Sequence, residues 1–284
     1  AGATAVAEAM RNVAAIGATP SGLTDCLNFG NPENPQAFWE FREAVRGLSE
    51  AAKNLWLKGH EGQAVPVISG NVSFYNESAT GRAVLPSPII TCVGIMRDYT
   101  KAVTMQLVEP GNALILLGKR YDELGGSEYY RTLLGQLGRN VPRVRWETER
   151  ANIYTVIDAI DAGLVRSCHD ISNGGLVCTL AEMAMGGYAS GRFGARVHLD
   201  ALDTDLRDDK ALFSESGGFV LEVRPDDLQR LRAIAATYAA QAVEIGRVTE
   251  EPTFEIRRAD RPIIRLDLSA MKSAWTRGLS EALQ

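Results

Sequence analysis

The sequence predicts a two-domain protein of the α/β (α+β) class, in which strands and helices alternate along the chain. Apolar runs of strand length, such as 113–117 and 218–224, are separated by segments with helical periodicity, such as 149–162. The turn cluster "VEPGN" precedes a fresh apolar strand, so we place a domain boundary there, between residues 1–107 and residues 108–284. A chain of 284 residues is long enough for two ordinary cores.

The first domain is predicted to contain two helices and three strands. Thr4 is the candidate N-cap of the first helix, which Gly17 ends. The stretch "SGLTDCLNF" is typical of a short strand, and Pro35 suits the start of a second helix that extends to about Lys58. The buried stripe of that helix comprises Phe38, Phe41, Val45 and Leu48. The stretch "AVPVIS" predicts a buried strand, and "SPIITCVGIMR" predicts another that continues through "AVTMQ".

The second domain alternates strands and helices until it ends in a hairpin and a closing helix. The predicted strands lie near 113–117, 164–168, 194–199 and 218–224. The predicted helices lie near 127–137, 149–162, 174–186 and 226–239. The hairpin is predicted over "PTFEIRRADRPIIRLDL", where a polar turn joins two apolar runs.

Composition excludes several classes of function. The net charge of −5 argues against a general binder of nucleic acid or of membrane surfaces. The four cysteines show no CxxC pair and no metal-ligand spacing, which is typical of reduced thiols in a cytosolic protein. No apolar run approaches the roughly 20 residues needed to span a bilayer, and the start lacks the layout of a signal peptide. We therefore expect a cytoplasmic protein without nucleic-acid or membrane partners. Its abrupt helical start predicts an incomplete first domain.

Polar side chains accompany two predicted strands of the first domain. Asp25 lies near the end of one strand, and "SGNVSFYNES" (69–78) follows the other. Gly70 lets a ligand approach the backbone closely, because glycine has no Cβ atom. Asn71 offers a neutral oxygen that Mg²⁺ accepts, and Ser73 shares a face with it in an extended segment. The alternative is a polar β-turn with side-chain caps, which Asn, Gly and Ser commonly form.

A second cluster lies in "SCHDISNGGL". His169 and Asp170 end a predicted strand, and Gly174 and Gly175 open a predicted helix, whose first backbone N–H groups can bind an anion. The alternative is a glycine-rich connection in which Asp170 or Ser172 caps the helix. His169 has no second histidine at a metal-ligand spacing, which argues against zinc.

A third cluster, "LFSESGGFV", places Glu215 and Ser216 before a glycine pair and a strand. It is typical either of a loop beside a phosphate or of a tight turn. The sequence contains no GxxxxGK[ST] segment, and no GxGxxG follows a strand, so P-loop and Rossmann sites are excluded.

These motifs follow one another in the order found in one enzyme family. The stretches are "AVAEAMRNVAAIGATPSGLTDCLNFGNPENP", "VISGNVSFYNES", "HDISNGGL" and "FSESGGF". The chain resembles the C-terminal half of the phosphoribosylformylglycinamidine synthase family (formylglycinamide ribonucleotide amidotransferase, synthetase subunit), over essentially its whole length. The resemblance implies an aminoimidazole ribonucleotide synthetase-like fold, with a barrel-forming N-terminal domain and a ferredoxin-like C-terminal α/β domain. Two barrel-forming domains of this superfamily pair into one closed β-barrel, with nucleotide at their interface.

The same resemblance implies an ATP-dependent ligase of purine biosynthesis. ATP phosphorylates the amide oxygen of formylglycinamide ribonucleotide to an iminophosphate, and ammonia from glutamine then displaces phosphate. Mg²⁺ is the implied metal. The implied partners are the N-terminal half of the same enzyme, a separate glutaminase subunit and a small bridging subunit, with a dimer through the barrel-forming domain as a further expectation.

Residue roles follow from the resemblance alone. Asp25 and Gly70 match ATP-binding positions, Asn71 a magnesium ligand, and Ser73 a substrate-binding position. The loop "LWLKGHEGQ" is longer than the family pattern. The family's catalytic histidine lies in a Ser-x-His-Asn-His segment of the other half, so no catalytic residue is assigned here, and the chain alone is expected to be inactive. Six residues of this chain correspond to loops that bind magnesium and substrate in the family's other half. Here they form either a pseudo-symmetric nucleotide site or part of the architecture. They are His169, Asp170, Gly174, Gly175, Glu215 and Ser216.

Two other functions stay open at this point. The chain could act alone as a homodimeric ATP-dependent ligase or small-molecule kinase of the same superfamily, which predicts ATP turnover by the purified chain. It could also be a half that binds nucleotide without catalysis.

Overall fold

The structure, a computed structural model, describes residues 1–186, 192–202 and 204–283. Its first sheet contains β1 (Thr19–Asn28), β2 (Val67–Ser73) and β3 (Ser87–Ile95), in the order β2-β1-β3. Strand β1 runs parallel to β2 and antiparallel to β3. The helices of this part are α1 (Gly2–Ala15) and α2 (Pro35–Asn54).

The second sheet lies in the rest of the chain. Its strands are β4 (Ala113–Leu117), β5 (Val165–Asp170), β6 (Gly194–His198), β7 (Phe219–Val223), β8 (Ala242–Thr249), β9 (Thr253–Arg258) and β10 (Arg261–Asp267). Their order is β10-β9-β6-β8-β4-β7-β5, and neighbours are antiparallel except for the parallel pair β6 and β9. The helices are α3 (Glu128–Leu134), α4 (Trp146–Asp161), α5 (Gly175–Met185), α6 (Asp208–Phe213), α7 (Leu228–Thr237) and α8 (Leu268–Ala282). The predicted α/β class with two domains is confirmed.

Alternate residues of β4 separate two apolar cores. Ala113, Ile115 and Leu117 belong to a core that also contains residues of α1, α2, α4 and α7. Leu114 and Leu116 belong to the core that contains residues of α5 and α8. All these β4 side chains are buried, as expected for a central strand covered on both faces. Because the first core includes residues of both sheets, the two parts of the chain share packed apolar surface.

The first sheet leaves apolar side chains exposed. Along β3, Ile90 and Cys92 pack against the core, whereas Ile89, Val93 and Ile95 are 46% to 59% exposed. Strand β2 is an edge strand, and its Ile68 is 62% exposed. The expectation of a buried strand over "AVPVIS" is therefore wrong, since an apolar run indicates a surface that needs covering but not what covers it. The described part of the first sheet is open, and the closed barrel and the ferredoxin-like character stay predictions.

Three expectations about helices are wrong. Helix α1 begins at Gly2 without a side-chain cap, so Thr4 lies inside it. Helix α2 is capped by Asn34 and ends at Asn54, well before Lys58. Phe38, in the first turn of α2, is 49% exposed and does not belong to the buried stripe.

Other differences concern short or mixed segments. The stretch "AVTMQ" is not a strand, because the chain leaves β3 and forms a single 3-10 turn at Tyr99–Lys101. Helix α6 and strand β8 escaped prediction, α6 because it has only 6 residues and β8 because "AVEIGRVT" mixes charges and glycine with apolar residues. No described helix is long and apolar enough to cross a membrane. The predicted boundary between residues 107 and 108 stays a prediction.

Candidate functional site

Strands β1 and β2 bring Asp25 and Gly70 side by side. The two residues are partners in the parallel register. A Cβ atom at position 70 would lie 2.6 Å from both carboxylate oxygens of Asp25. This separation is shorter than non-bonded contacts allow, so Asp25 can keep its position only beside a glycine. The carboxylate therefore lies against the backbone of an edge strand, where a ligand can approach.

Asn71 and Ser73 follow Gly70 on the same strand. Their partners on β1 are Cys26 and Asn28. Because side chains alternate along a strand, Asn71 and Ser73 share one face of the sheet and Asp25 points to the other. Asn71 is exposed and Ser73 is half-buried. The structure thus gathers the sequence-predicted residues on two neighbouring strands, but it distributes them over both faces.

Asn76 connects the ends of these two strands, and the sequence analysis missed it. Its Nδ2 group donates to the carbonyl of Phe29 at 3.0 Å and to the carbonyl of Ser73 at 2.9 Å. Its Oδ1 atom accepts from the Ser73 hydroxyl at 3.1 Å. The available signal was an asparagine three residues after a serine in a turn-rich stretch, a pattern typical of side chains that bond to a local backbone.

The backbone between Ser73 and Asn76 is held by its neighbours. Tyr75 has φ +59°, in the left-handed region that bulky residues rarely adopt. Beside it, the ring of Phe74 packs edge-on against Phe41 at 5.0 Å, and Phe41 packs against Phe29 at 5.3 Å. Strained backbone persists where surrounding contacts fix it, and such positions are concentrated at functional sites.

The residues present offer one protein oxygen to the Mg²⁺ that the family resemblance implies. Asn71 offers one exposed amide oxygen on the edge strand. Within the described residues, no group of three or more His, Cys, Asp or Glu side chains could hold a metal ion. One neutral oxygen fits Mg²⁺ that keeps waters and phosphate oxygens as its other ligands, and it does not fit an all-protein cage.

The second predicted cluster forms an ion network at the end of β5. His169 Nδ1 lies 3.2 Å from Asp170 Oδ1, and His169 Nε2 lies 3.1 Å from Glu182 Oε2. Burial disfavours the charged imidazole, but the two carboxylates outweigh burial and raise the pKa of His169 to about 9. His169 is therefore a cation held between two acidic side chains at neutral pH.

Arg11 extends this network from the first domain. Its Nη1 lies 2.6 Å from Glu149 Oε1, and its Nε lies 3.7 Å from Asp170 Oδ2, with all three side chains buried. Burial opposes the charge, but the Glu149 and Asp170 carboxylates raise the pKa of Arg11. No local pattern of residues predicts this contact, because Arg11 and Glu149 are 138 residues apart.

Glu215 joins the third cluster to the second. Its Oε1 atom accepts from the backbone N–H of Gly174 at 2.8 Å and of Glu128 at 2.9 Å. Burial raises the pKa of Glu215, although the two N–H donors act in the opposite direction. Ser216 bonds to Ser214, and its hydroxyl lies 3.3 Å from Glu123 Oε2.

The helix start after β5 does not present its first N–H to solvent. Gly174, with φ +78°, is the N-cap of α5, and no side chain caps the helix, so the alternative in which Asp170 or Ser172 caps it is wrong in that detail. Glu215 already occupies the Gly174 N–H. A Cβ atom at Gly175 would lie 2.7 Å from the Leu212 carbonyl oxygen, which shows how tightly the two loops pack. These intrachain contacts favour an architectural role for the second and third clusters.

A separate cleft of about 670 Å³ lies between the two parts of the chain, at the other end of β1. It is lined by residues of both parts, and both of its lysines pair with aspartates. Lys58 contacts Asp158, and Lys101 lies 2.7 Å from Asp161. None of the sequence-predicted site residues lines this cleft.

Two family models match the chain. The model described as "AIR synthase related protein, N-terminal domain" matches residues 1–96. The model described as "AIR synthase related protein, C-terminal domain" matches residues 109–258, which is more than half of the 284 residues.

The chain is also homologous to named synthase subunits over its whole length. It is 58% identical over 283 residues to "Phosphoribosylformylglycinamidine synthase subunit PurL" of Methanothrix thermoacetophila, a match that covers 100% of this chain and 36% of the relative. It is 38% identical over 272 residues to the subunit of the same name in Thermoanaerobacter pseudethanolicus, covering 95% of this chain and 35% of the relative. The chain thus spans about a third of the length of the curated relatives that it matches.

A solved structure shares the fold. The structure described as "T. maritima PurL complexed with FGAR" matches this protein with a TM-score of 0.73 and 19% sequence identity. The match covers 95% of this chain and 42% of the T. maritima chain. At this identity the likeness shows the fold alone. Together with the two family models, which cover both parts of the structure, it leads to one conclusion. The chain belongs to the AIR synthase related protein family.

Proposed function

We propose that this chain is the C-terminal part of an ATP-dependent ligase that converts formylglycinamide ribonucleotide and ammonia to formylglycinamidine ribonucleotide in purine biosynthesis. The observation that carries the proposal is the 58% identity over 283 residues to a subunit named for this synthase. The contact between Asp25 and Gly70, with Asn71 and Ser73 on the same edge strand, supports it.

The reaction needs ATP because an amide oxygen is a very poor leaving group. Phosphorylation of that oxygen gives an iminophosphate, ammonia adds to the activated carbon, and phosphate leaves with the original oxygen. In this chain, Gly70 leaves room for the Asp25 carboxylate, which would contact the nucleotide at the edge of the sheet. Asn71 would contribute one oxygen to Mg²⁺, which offsets phosphate charge when bound. Ser73 would contact the ribonucleotide.

The open first sheet supports a partner domain. Both β2 and β3 are edge strands of the described sheet, and Ile89, Val93 and Ile95 are exposed beside them. An apolar face with unpaired edges is typical of a surface that another sheet covers. We propose that the N-terminal part of the same enzyme covers it, pairing two barrel-forming domains into a closed β-barrel with the nucleotide at the interface. A separate glutaminase and a small bridging subunit would deliver ammonia.

We further propose that the chain is inactive alone. The printed sequence has no Ser-x-His-Asn-His segment, so the histidine expected to act on the ribonucleotide is not among its residues. A homodimeric ligase or kinase remains the alternative, and it predicts ATP turnover by the chain without other components.

Substitution of Gly70 tests the nucleotide assignment. In a chimera in which this chain replaces the matching part of the Methanothrix thermoacetophila subunit, Gly70→Ala forces the Asp25 carboxylate out of its position. We expect the KM for ATP to rise about tenfold or more, since at least one contact to the nucleotide is lost. Asn71→Ala should instead raise the Mg²⁺ concentration needed for half-maximal rate.

Gly278→Ala is the matched control, because a Cβ atom there meets nothing within 4 Å and φ is ordinary. It should leave the KM for ATP unchanged. An unaltered KM for ATP in folded Gly70→Ala would contradict the assignment.

A further inference from the structure

The orientation of the Asn76 amide is fixed by its neighbours. Its nitrogen lies 3.0 Å from the Phe29 carbonyl oxygen and 2.9 Å from the Ser73 carbonyl oxygen. Only the NH₂ end of an amide can donate to two carbonyl groups, so a flipped amide would place oxygen against oxygen. The Oδ1 atom must therefore be the end that faces the Ser73 hydroxyl, 3.1 Å away.

This orientation decides what Ser73 can offer a ligand. Oδ1 has lone pairs only, so the single hydroxyl proton of Ser73 is committed to Asn76. The Ser73 oxygen keeps only acceptor capacity. We propose that Asn76 is a positioning residue that makes Ser73 an acceptor-only contact, so the substrate group at Ser73 is a neutral N–H or O–H donor and not a phosphate oxygen. This inference rests on the proposed function, which assigns a ribonucleotide to this site.

The ribonucleotide carries both hydrogen-bond donors and phosphate oxygens, so an acceptor-only Ser73 selects one kind of group. Its amide N–H groups and sugar hydroxyls are donors, whereas its phosphate oxygens offer lone pairs to their partners at neutral pH. A serine with a free proton could serve either group. With that proton held by Asn76, a phosphate oxygen would meet lone pairs of Ser73, an unfavourable contact. Ser73 thus discriminates between the two ends of the substrate.

The geometry around Asn76 keeps this arrangement rigid. The Asn76 backbone N–H donates to the Phe29 carbonyl at 3.2 Å, and its carbonyl accepts from the Val84 N–H at 2.9 Å. The left-handed Tyr75, with φ +59°, turns the chain so that the Asn76 side chain returns to the ends of β1 and β2. An asparagine that served only to end the strands would need the two carbonyl contacts but not the contact to the Ser73 hydroxyl.

Kinetics of the chimera defined above test the inference. We expect Ser73→Ala to raise the KM for formylglycinamide ribonucleotide about tenfold, the effect of losing one hydrogen bond, while the KM for ATP stays within about twofold. Asn76→Ala should raise the ribonucleotide KM by a smaller factor, about threefold, because Ser73 keeps its oxygen but loses its fixed orientation. The double variant should be no worse than the worse single variant, because both act through one contact. A ribonucleotide KM unchanged in Asn76→Ala, or effects that multiply in the double variant, would overturn the inference.

Substrate analogues provide a second arm if Asn76→Ala does not fold. Three analogues are compared on the unsubstituted chimera and on Ser73→Ala: one with a methylated amide nitrogen, one with a deoxygenated sugar, and one without the phosphate. The inference predicts that the penalty for the methylated or the deoxygenated analogue disappears in Ser73→Ala, which also identifies the donor. If instead the penalty for the analogue without the phosphate disappears in Ser73→Ala, the inference is wrong. An unsubstituted chimera without turnover would refute the proposed function itself.

Discussion

At the scale of single residues, the candidate site depends on side chains that lie against strand backbone. The Asp25 carboxylate occupies the space where a side chain at Gly70 would be, and the Asn76 amide ties the ends of two strands. Within the described residues, neither the Asp25 carboxylate nor the Asn76 amide is held by an ion pair, so packing and hydrogen bonds keep them in place. Their substitutions are therefore expected to change ligand affinity through geometry.

His169 gives the fold a defined dependence on pH. Its pKa is raised from 6.5 to about 9, because the Asp170 and Glu182 carboxylates outweigh burial. A raised pKa in the folded state stabilises the fold fully below pH 6.5, and this contribution is lost as pH rises through 9. We expect the free energy of unfolding to fall across that window by on the order of 1–3 kcal/mol, and His169→Gln to remove the fall.

Urea denaturation at several pH values on both sides of the window measures this effect. His60→Gln is the control, since His60 is exposed in a turn. If His169→Gln keeps the slope of the unsubstituted chain, the charged imidazole between Asp170 and Glu182 does not stabilise the fold.

The sequence identifies candidate site residues where a polar side chain accompanies an apolar strand. It does not identify site residues that look like ordinary surface residues. Asp25, Asn71 and Ser73 stood out because they accompany apolar strands. Arg11 did not, since an arginine in an amphipathic helix is normally a solvent-facing residue, and here it is buried beside Glu149. Asn76 matched the turn alternative, and only its three-dimensional neighbours distinguish it.

At the scale of secondary structure elements, the segment after α2 connects the two parts of the chain. Arg150 of α4 lies over the Trp56 ring at 4.1 Å, and the Tyr154 hydroxyl donates to the Trp56 carbonyl at 2.6 Å. Lys58 and Tyr238 both bond to Asp158. The long "LWLKGHEGQ" stretch thus contains an anchoring contact as well as exposed turns.

Removal of one hydroxyl measures this anchor. Tyr154→Phe leaves the Trp56 carbonyl without its donor, so we expect the free energy of unfolding to decrease by about 1 kcal/mol. Tyr99→Phe is the matched control, because Tyr99 is 82% exposed. Equal stability of the two variants in urea denaturation would show that the contact does not anchor the segment.

The strands and helices predicted from the sequence are correct where a regular apolar pattern coincides with burial. Strand β4 is a short, purely apolar run and lies in the interior of the second sheet, as its pattern indicates. Strand β2 has a similar run in "VPVI" but lies at an exposed edge, because an apolar pattern does not specify which surface covers it. The end of α2 was also misjudged, since contacts with α4 redirect the chain at Trp56.

At the scale of the whole molecule, the two sheets differ in how completely they are covered. Strand β4, inside the second sheet, is buried on both faces, whereas the described first sheet exposes Ile89, Val93 and Ile95 and has two open edges. The relatives that this chain matches are about three times as long. The proposed N-terminal part of the enzyme would cover this face and add the histidine.

The most direct test of this proposal is the ammonia-dependent formation of formylglycinamidine ribonucleotide from formylglycinamide ribonucleotide and ATP. It is measured for the purified chain, for the N-terminal part of the Methanothrix thermoacetophila subunit, and for the two combined. We predict no product from either component and product from the combination. Product formed by the purified chain alone would contradict the account.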